Sequence, residues 1–148
     1  NNVANSLLLG CAMVGINVRI ATPENYLPNQ EIVEKAKTIA NGKSEVLVTQ
    51  DPQVAVKDSQ VLYTDVWASM GQEQEANNRI PIFQPYQINE KLVESAANNV
   101  IILHCLPAHR GEEITDAVIE GEKSRVWEQA ENRMHAQKAL LISILGSD

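Results

Sequence analysis

An imidazole and a thiol stand side by side at His104-Cys105, directly after the apolar run Val100-Ile101-Ile102-Leu103. Histidine changes charge near neutral pH, and a thiol beside it has a proton state set by its surroundings. Leu106-Pro107 follows, then His109 and Arg110. Four apolar residues in a row predict a strand buried on both faces. Pro107 has no N–H to give a ladder and biases Leu106 towards extended geometry. The pattern predicts a strand ending in a fixed loop that carries chemistry, where an open α/β sheet has its ligand crevice. A plainer reading stands beside it. A cysteine after a strand is often a small buried hydrophobe, and His109 can be an ordinary helix-start residue.

A second polar strand end is Thr64-Asp65-Val66-Trp67-Ala68-Ser69-Met70-Gly71. An aspartate at the end of a buried strand is costly unless it is paired or poised for a cation. Ser69 adds a short hydroxyl and Gly71 permits a tight turn, which together suit a small amine-bearing ligand. The competing reading is a surface turn in which Asp65 caps a helix. Asn2 can offer an amide at the start of a helix, although that position more often only caps. Arg133 lies beside Glu131 in a long helical pattern, and its plain reading is a surface ion pair. His104, His109 and His135 do not fall at metal-ligand spacing, and there is no phosphate loop, H-E-x-x-H or C-x-x-C.

The elements that must position these residues alternate along the chain. Asn2–Val14 has a broad apolar face at helical spacing, with Asn1 or Asn2 as its cap. Val18–Ala21 reads as a strand, and Asn29 to Ala40 as a helix closed by Asn41-Gly42. Glu45–Thr49 is a second strand. Asp51-Pro52 has the form of a cap and first-turn proline for a short helix to Val56. Val61–Trp67 is the third strand. Residues 72–89 are predicted as a loop or short helix that covers something, since Pro81 and Pro85 rule out a central strand. A short helix from Asn89 to Ala97 leads to the focal strand. Glu113–Val118 is another short helix. Arg125–Leu145 is a long one, with Val126, Ala130, Met134, Gln137, Leu141 and Ile144 near one stripe.

This order predicts an α/β fold: a three-layer, open, mostly parallel sheet of Rossmann-like form. Its first central strand is lacking, because the chain opens on a helix where a βα unit would open on a strand. That would leave two internal edges unpaired. With 148 residues, 44% hydrophobic and 21% charged, the chain is long enough for one packed domain. Nineteen acidic against 12 basic residues, net charge −7, disfavour nucleic acid or an anionic membrane as partner. No apolar run is long enough to span a bilayer, nothing reads as a signal peptide, and Cys11 and Cys105 are expected as free thiols. Cytoplasm is the expected location.

Four segments carry a family resemblance: Asn1–Leu7 (N-N-V-A-N-S-L), Tyr63–Gly71 (Y-T-D-V-W-A-S-M-G), His104–Gly111 (H-C-L-P-A-H-R-G) and Glu131–Met134 (E-N-R-M). In these the chain resembles the second, amino-acid-binding domain of the ornithine carbamoyltransferases. The segments span nearly the whole chain in the family's order, and D-x-x-S-M-G with H-C-L-P is a specific combination. The resemblance implies transfer of a carbamoyl group from carbamoyl phosphate to the side-chain amine of L-ornithine, giving citrulline and phosphate. It implies that Asn2 binds the ornithine carboxylate and Asp65 its α-ammonium, with Ser69 and Met70 completing the clamp. Cys105 becomes the proton acceptor beside the amine and also a carbamoyl phosphate-binding residue, and Leu106 borders carbamoyl phosphate through its backbone. Arg133 reaches carbamoyl phosphate, and His104 lines the transferred group. No metal and no cofactor is implied.

Departures from the family pattern matter as much. The Gly-Asp-Gly turn that precedes the Asn-Asn pair in the family is absent, as are its Ser-Thr-Arg-Thr and His-Pro segments. Residues 1–148 are therefore expected to be an ornithine-binding domain truncated at its N-terminus and lacking the carbamoyl phosphate domain. By the resemblance the parent is a homotrimer or a multiple of trimers, assembled through that first domain. The 148 residues by themselves are expected to be inactive. Putrescine or an acylated ornithine is the rival substrate, and a non-catalytic amino-acid-binding domain is the rival class.

Overall fold

The structure, a computed structural model, describes residues 1–68 and 73–146, of 73–77 the backbone alone. Helix α1 (Asn2–Val14) starts where the Asn1 side chain accepts the Ala4 N–H, and ends at Gly15, whose φ of 74° is the left-handed conformation glycine adopts freely. Strand β1 (Val18–Ala21), helix α2 (Gln30–Ala40) and strand β2 (Val46–Thr49) follow. Asn29 caps α2, and Asn41 closes it in the left-handed region, as its place before Gly42 predicts. Helix α3 (Pro52–Val56) is capped by Asp51, with Pro52 in its first turn. Next come β3 (Val61–Thr64), α4 (Glu73–Phe83), α5 (Glu90–Glu94), β4 (Ile101–His104), α6 (Asp116–Ile119) and α7 (Val126–Leu145).

All strand pairing in the named elements is parallel, so the fold is α/β with helical crossovers, as the alternating order predicts. The four strands nevertheless form two pairs. β1 pairs with β2, Val18 opposite Val46, and β3 pairs with β4, Val61 opposite Ile101. Among the described residues no backbone hydrogen bond joins β1 to β3, which are the edges that the alternation leaves without a strand between them. The outer edge of β4 is covered instead: Ile102 N–H donates to Lys123 O and Arg125 N–H to Ile102 O, both at 2.9 Å. Each pair has its own core. Leu8, Ala12, Val33, Ala36 and Ala40 close the first, and Ile102, Ile114, Ile119, Val100 and Val126 centre the second.

Several boundaries differ from expectation. β3 stops at Thr64, because Asp65 turns its side chain back on the Val66 N–H at 2.8 Å. β4 runs one residue further than the apolar run, so His104 is its last member rather than the first loop residue. It alternates half-buried and buried instead of being buried throughout. Residues 73–83 form an 11-residue helix with Pro81 inside it, longer than the loop or short helix expected. Pro81 stands two residues before the end of the helix, in its last turn. Glu113 is not in a helix; α6 begins three residues later, behind its cap Thr115. In α7 only Val126 is buried, while Met134, Leu141 and Ile144 on the expected stripe are more than half exposed. Among the described residues no helix is long and apolar enough to cross a membrane.

Candidate active site

Parallel pairing brings the C-terminal ends of β3 and β4 level, Thr64 opposite His104, so the next residues of each strand, Asp65 and Cys105, meet. The Cys105 thiol donates to Asp65 Oδ1 at 3.0 Å. The other oxygen, Oδ2, accepts the Asn1 side-chain amide at 2.7 Å. Asp65 is thus a carboxylate held by three donors from three segments, half-buried and facing out of the strand ends. Burial, then the hydrogen bond to Asp65 and its negative charge, push the Cys105 thiol up to about 12. In this setting Cys105 is a thiol and a donor. A thiolate needs positive surroundings, and here the nearest charge is negative.

His104 faces a different set of partners. Its side chain is wholly buried, and Nε2 lies 2.9 Å from Glu113 Oε1, also wholly buried. Nδ1 accepts the Leu106 N–H at 2.8 Å, which leaves Nε2 as the nitrogen that carries hydrogen and donates to Glu113. The same bond curls the chain: Leu106 has φ of 55°, in the left-handed region rather than extended as the following proline predicts. For a leucine that costs roughly 1–2 kcal/mol, which the His104 side chain offsets by satisfying a loop N–H. Glu113 Oε1 also accepts the His109 N–H at 2.7 Å, whereas its Oε2 is buried without a partner.

Gln129 joins α7 to both strands. Its Oε1 accepts the His104 N–H at 3.0 Å and its Nε2 donates to the Tyr63 hydroxyl at 3.1 Å. Burial and the neighbouring Cys105 push the Tyr63 hydroxyl up. Arg133 is one turn further along α7, on the face that carries Gln129. Its exposed guanidinium borders an open apolar hollow with Met134, Gln137 and Leu141. The expected pairing of Arg133 with Glu131 is not formed, since Glu131 takes His135 at 3.3 Å.

The residues expected at the site therefore divide. Asp65, His104, Cys105 and Leu106 converge on the ends of β3 and β4. Asn2 is exposed in the first turn of α1, and it is its neighbour Asn1 that reaches Asp65. Arg133 makes no contact with that group among the described residues, and Ser69 and Met70 lie outside them. Sequence reasoning missed Asn1, Tyr63, Glu113 and Gln129. Glu113 had one signal, an acid next to the apolar Ile114, but its partner is nine residues away and only the folded loop joins them. His109, Glu112 and Glu113 also bring ligand atoms within 4.8 Å of one another, a group able to hold a metal that linear spacing did not reveal. His109 itself is exposed and starts no helix.

The chain is similar to known proteins along nearly its whole length. The family model of the aspartate/ornithine carbamoyltransferase Asp/Orn binding domain matches residues 1–144. Ornithine carbamoyltransferase of Nostoc punctiforme is 72% identical over 148 residues, all of this chain and 48% of the relative. That of Thermosynechococcus vestitus is 63% identical over 145 residues, 98% of this chain and 47% of the relative. The crystal structure of the Gloeobacter violaceus enzyme superposes with a TM-score of 0.87 at 49% identity, covering 97% of this chain and 47% of that one. The Pyrococcus furiosus enzyme gives 0.88 at 50% identity, covering 93% and 44%. The chain spans about half the length of the curated relatives it matches. With a family model matched over nearly its whole length, this chain belongs to the aspartate/ornithine carbamoyltransferases, as their Asp/Orn-binding domain.

Proposed function

We propose that this chain is the ornithine-side half of an enzyme that moves the carbamoyl group of carbamoyl phosphate to the side-chain amine of L-ornithine. The observation that carries the reading is Asp65: a carboxylate at a strand end, with Asn1 and Cys105 aimed at it, in a chain of this family. A carboxylate so placed suits an α-ammonium, and Asn2 beside Asn1 is the donor for the substrate carboxylate. Ser69 and Met70 complete the clamp. Leu106 and His104 border carbamoyl phosphate through their peptide groups, and Arg133 supplies positive charge to it.

The step is attack by the neutral side-chain amine on the carbamoyl carbon. The C–N bond forms, the bond from that carbon to the phosphate oxygen breaks, phosphate departs with its electron pair, and the amine gives up a proton. Orientation and charge stabilisation do most of this work, and the proton needs an acceptor. Cys105 is the acceptor of this reading, and its environment sets a condition. As a thiol it must first pass its own proton to solvent; an ammonium docked on Asp65 cancels the negative charge that helps hold that proton, while burial, the larger cause, stays. A carbamoyl phosphate domain lies outside the 148 residues, and the assembled enzyme is a cytoplasmic trimer, or a multiple of trimers, serving arginine biosynthesis. The acidic net charge of −7 fits small-molecule substrates and no nucleic-acid partner.

The test joins this chain to the half of the Nostoc punctiforme enzyme that it does not match and measures citrulline formation. Turnover that needs both ornithine and carbamoyl phosphate is expected, with none from the 148 residues alone. A folded joined protein that carbamoylates putrescine or an acylated ornithine in preference, or makes no product at all, would overturn the reading.

A further inference from the structure

Gln87 is a buried polar side chain that the reaction above does not use. It follows the 3-10 turn Gln84–Tyr86 and precedes the cap of α5. Its Nε2 donates to two successive carbonyls, Gly111 O at 2.9 Å and Glu112 O at 2.7 Å. The backbone continues the grip, with Ile88 N–H donating to Glu113 O at 2.9 Å and Thr115 N–H to Ile88 O at 3.2 Å. Both hydrogens of one amide are therefore spent on the two peptides that lead into Glu113.

From this we infer that Gln87 is a positioning residue for the active site: it holds the 111–113 turn so that Glu113 locks His104 as its Nε2–H tautomer. The physical chain is short. Glu113 is wholly buried, with only Oε1 satisfied, by His104 and the His109 N–H. A buried carboxylate with a free oxygen leaves such a place unless its backbone is fixed. The turn that carries it has Gly111 at φ 86° and only isolated bridges at Ile114 in place of a strand ladder, so the two Gln87 bonds to the Gly111 and Glu112 carbonyls add to its fixing. When Glu113 is in place, the hydrogen on His104 stays at Nε2, and Nδ1 is left to accept the Leu106 N–H. That bond sets the loop carrying Cys105. Backbone bonds share the grip, with Ile88 N–H donating to Glu113 O at 2.9 Å, Gly111 N–H to Ile114 O at 2.8 Å and Glu112 N–H to His109 O at 2.9 Å, but among the described residues the Gly111 and Glu112 carbonyls take their side-chain donor from Gln87.

The experiment has two arms. Nitrogen-15 histidine spectra of the 148-residue chain read the tautomer directly, with exposed His109 and His135 as internal references. Wild type should show His104 as Nε2–H, and Gln87→Met, equal in length but without a donor, should lose that single tautomer for a mixture. Gln87→Glu, which turns an acceptor towards the two carbonyls, should lose it further. An unchanged tautomer in Gln87→Met overturns the inference, because filling space would then be all that Gln87 does. Should a variant unfold, the unsubstituted chain still decides: both Nε2 protons of Gln87 must exchange slowly with solvent, and fast exchange of either overturns it. The second arm rests on the proposed reaction. In the joined enzyme Gln87→Met should lower kcat about tenfold with KM for ornithine within about twofold. An inactive joined wild type would count against the reaction and leave the tautomer result standing; an unchanged kcat in an active enzyme would count against Gln87.

Discussion

β2 runs into Thr49-Gln50-Asp51-Pro52 and β3 into Thr64-Asp65-Val66-Trp67, so two short parallel strands each end on a threonine and an aspartate. At the first, Thr49 Oγ1 accepts the Asp51 N–H at 3.1 Å and Asp51 Oδ1 accepts Gln53 N–H at 2.8 Å. All of that chemistry is local, and it starts α3. At the second, Asp65 takes one bond from its own neighbour and two from Asn1 and Cys105, 64 and 40 residues away. The same contrast runs through the two halves. Among the described residues the β1–β2 half buries one polar residue, the uncharged Thr22, whereas the β3–β4 half buries His104, Glu113, Gln87 and Ser124 among its hydrophobic residues. An acidic residue at a strand end is a cap when its acceptors are used within one turn, and a site when they are used across the chain.

The largest effect that would break or sharpen this contrast is on turnover. Asp65→Asn in the joined enzyme should lower kcat/KM for ornithine roughly 10²–10³-fold, because a charged partner is lost from a desolvated pair. A fall below tenfold would return Asp65 to the class of Asp51. Next comes stability. Leu8→Ala in one core and Ile102→Ala in the other should each cost about 3 kcal/mol in denaturant unfolding. Only Ile102→Ala should also change the rate at which Cys105 is alkylated, since only it lies beneath the site; an equal change from Leu8→Ala would mean that the halves are not separate in function.

Smaller effects follow at Cys105 itself, read in a Cys11→Ser background. With the thiol at about 12, alkylation at pH 8 should run roughly 50-fold slower than for an ordinary thiol, after allowing for the greater reactivity of a more basic thiolate. Asp65→Asn should recover about tenfold of this, the worth of a charge-assisted hydrogen bond. The sign for folding follows from the same shift. The folded chain keeps a proton that the unfolded chain loses above the ordinary value of 9.0, so this contribution is whole below about pH 9 and is lost as pH rises towards 12. Unfolding midpoints that did not fall between pH 9 and 11 more steeply in wild type than in Cys105→Ala would contradict it. The smallest effect is Asp51→Ala, expected to cost about 1 kcal/mol as a lost helix cap, with Cys105 alkylation unchanged.

How much was legible beforehand differs by residue. Asp51-Pro52, Asn29 and Asn41-Gly42 declared their caps because a cap is a bond between neighbours in the chain. The ends of β3 and β4 were marked by polar residues after apolar runs, and Asp65 and Cys105 indeed meet there. The role of Glu113 was not legible. Its place depends on Gln87 and Ile88 holding a turn that sits 24 residues later. The stripe on α7 was legible as a pattern but not as a contact, since a helix needs only its own hydrogen bonds to form while burial needs a partner surface.

By itself, then, the order of residues determined the helices and strands, their parallel pairing class, and the polar strand ends, all of which follow from local bonds and periodicity. The break between the β1–β2 and β3–β4 pairs was also foreshadowed, by a chain that opens on a helix, whereas tertiary structure alone decided that Asn1 rather than Asn2 reaches Asp65. It also decided that Cys105 faces a negative charge and that His104 is held by a buried glutamate. Those are matters of distance and dielectric between segments far apart in the chain, and no spacing along a sequence carries them.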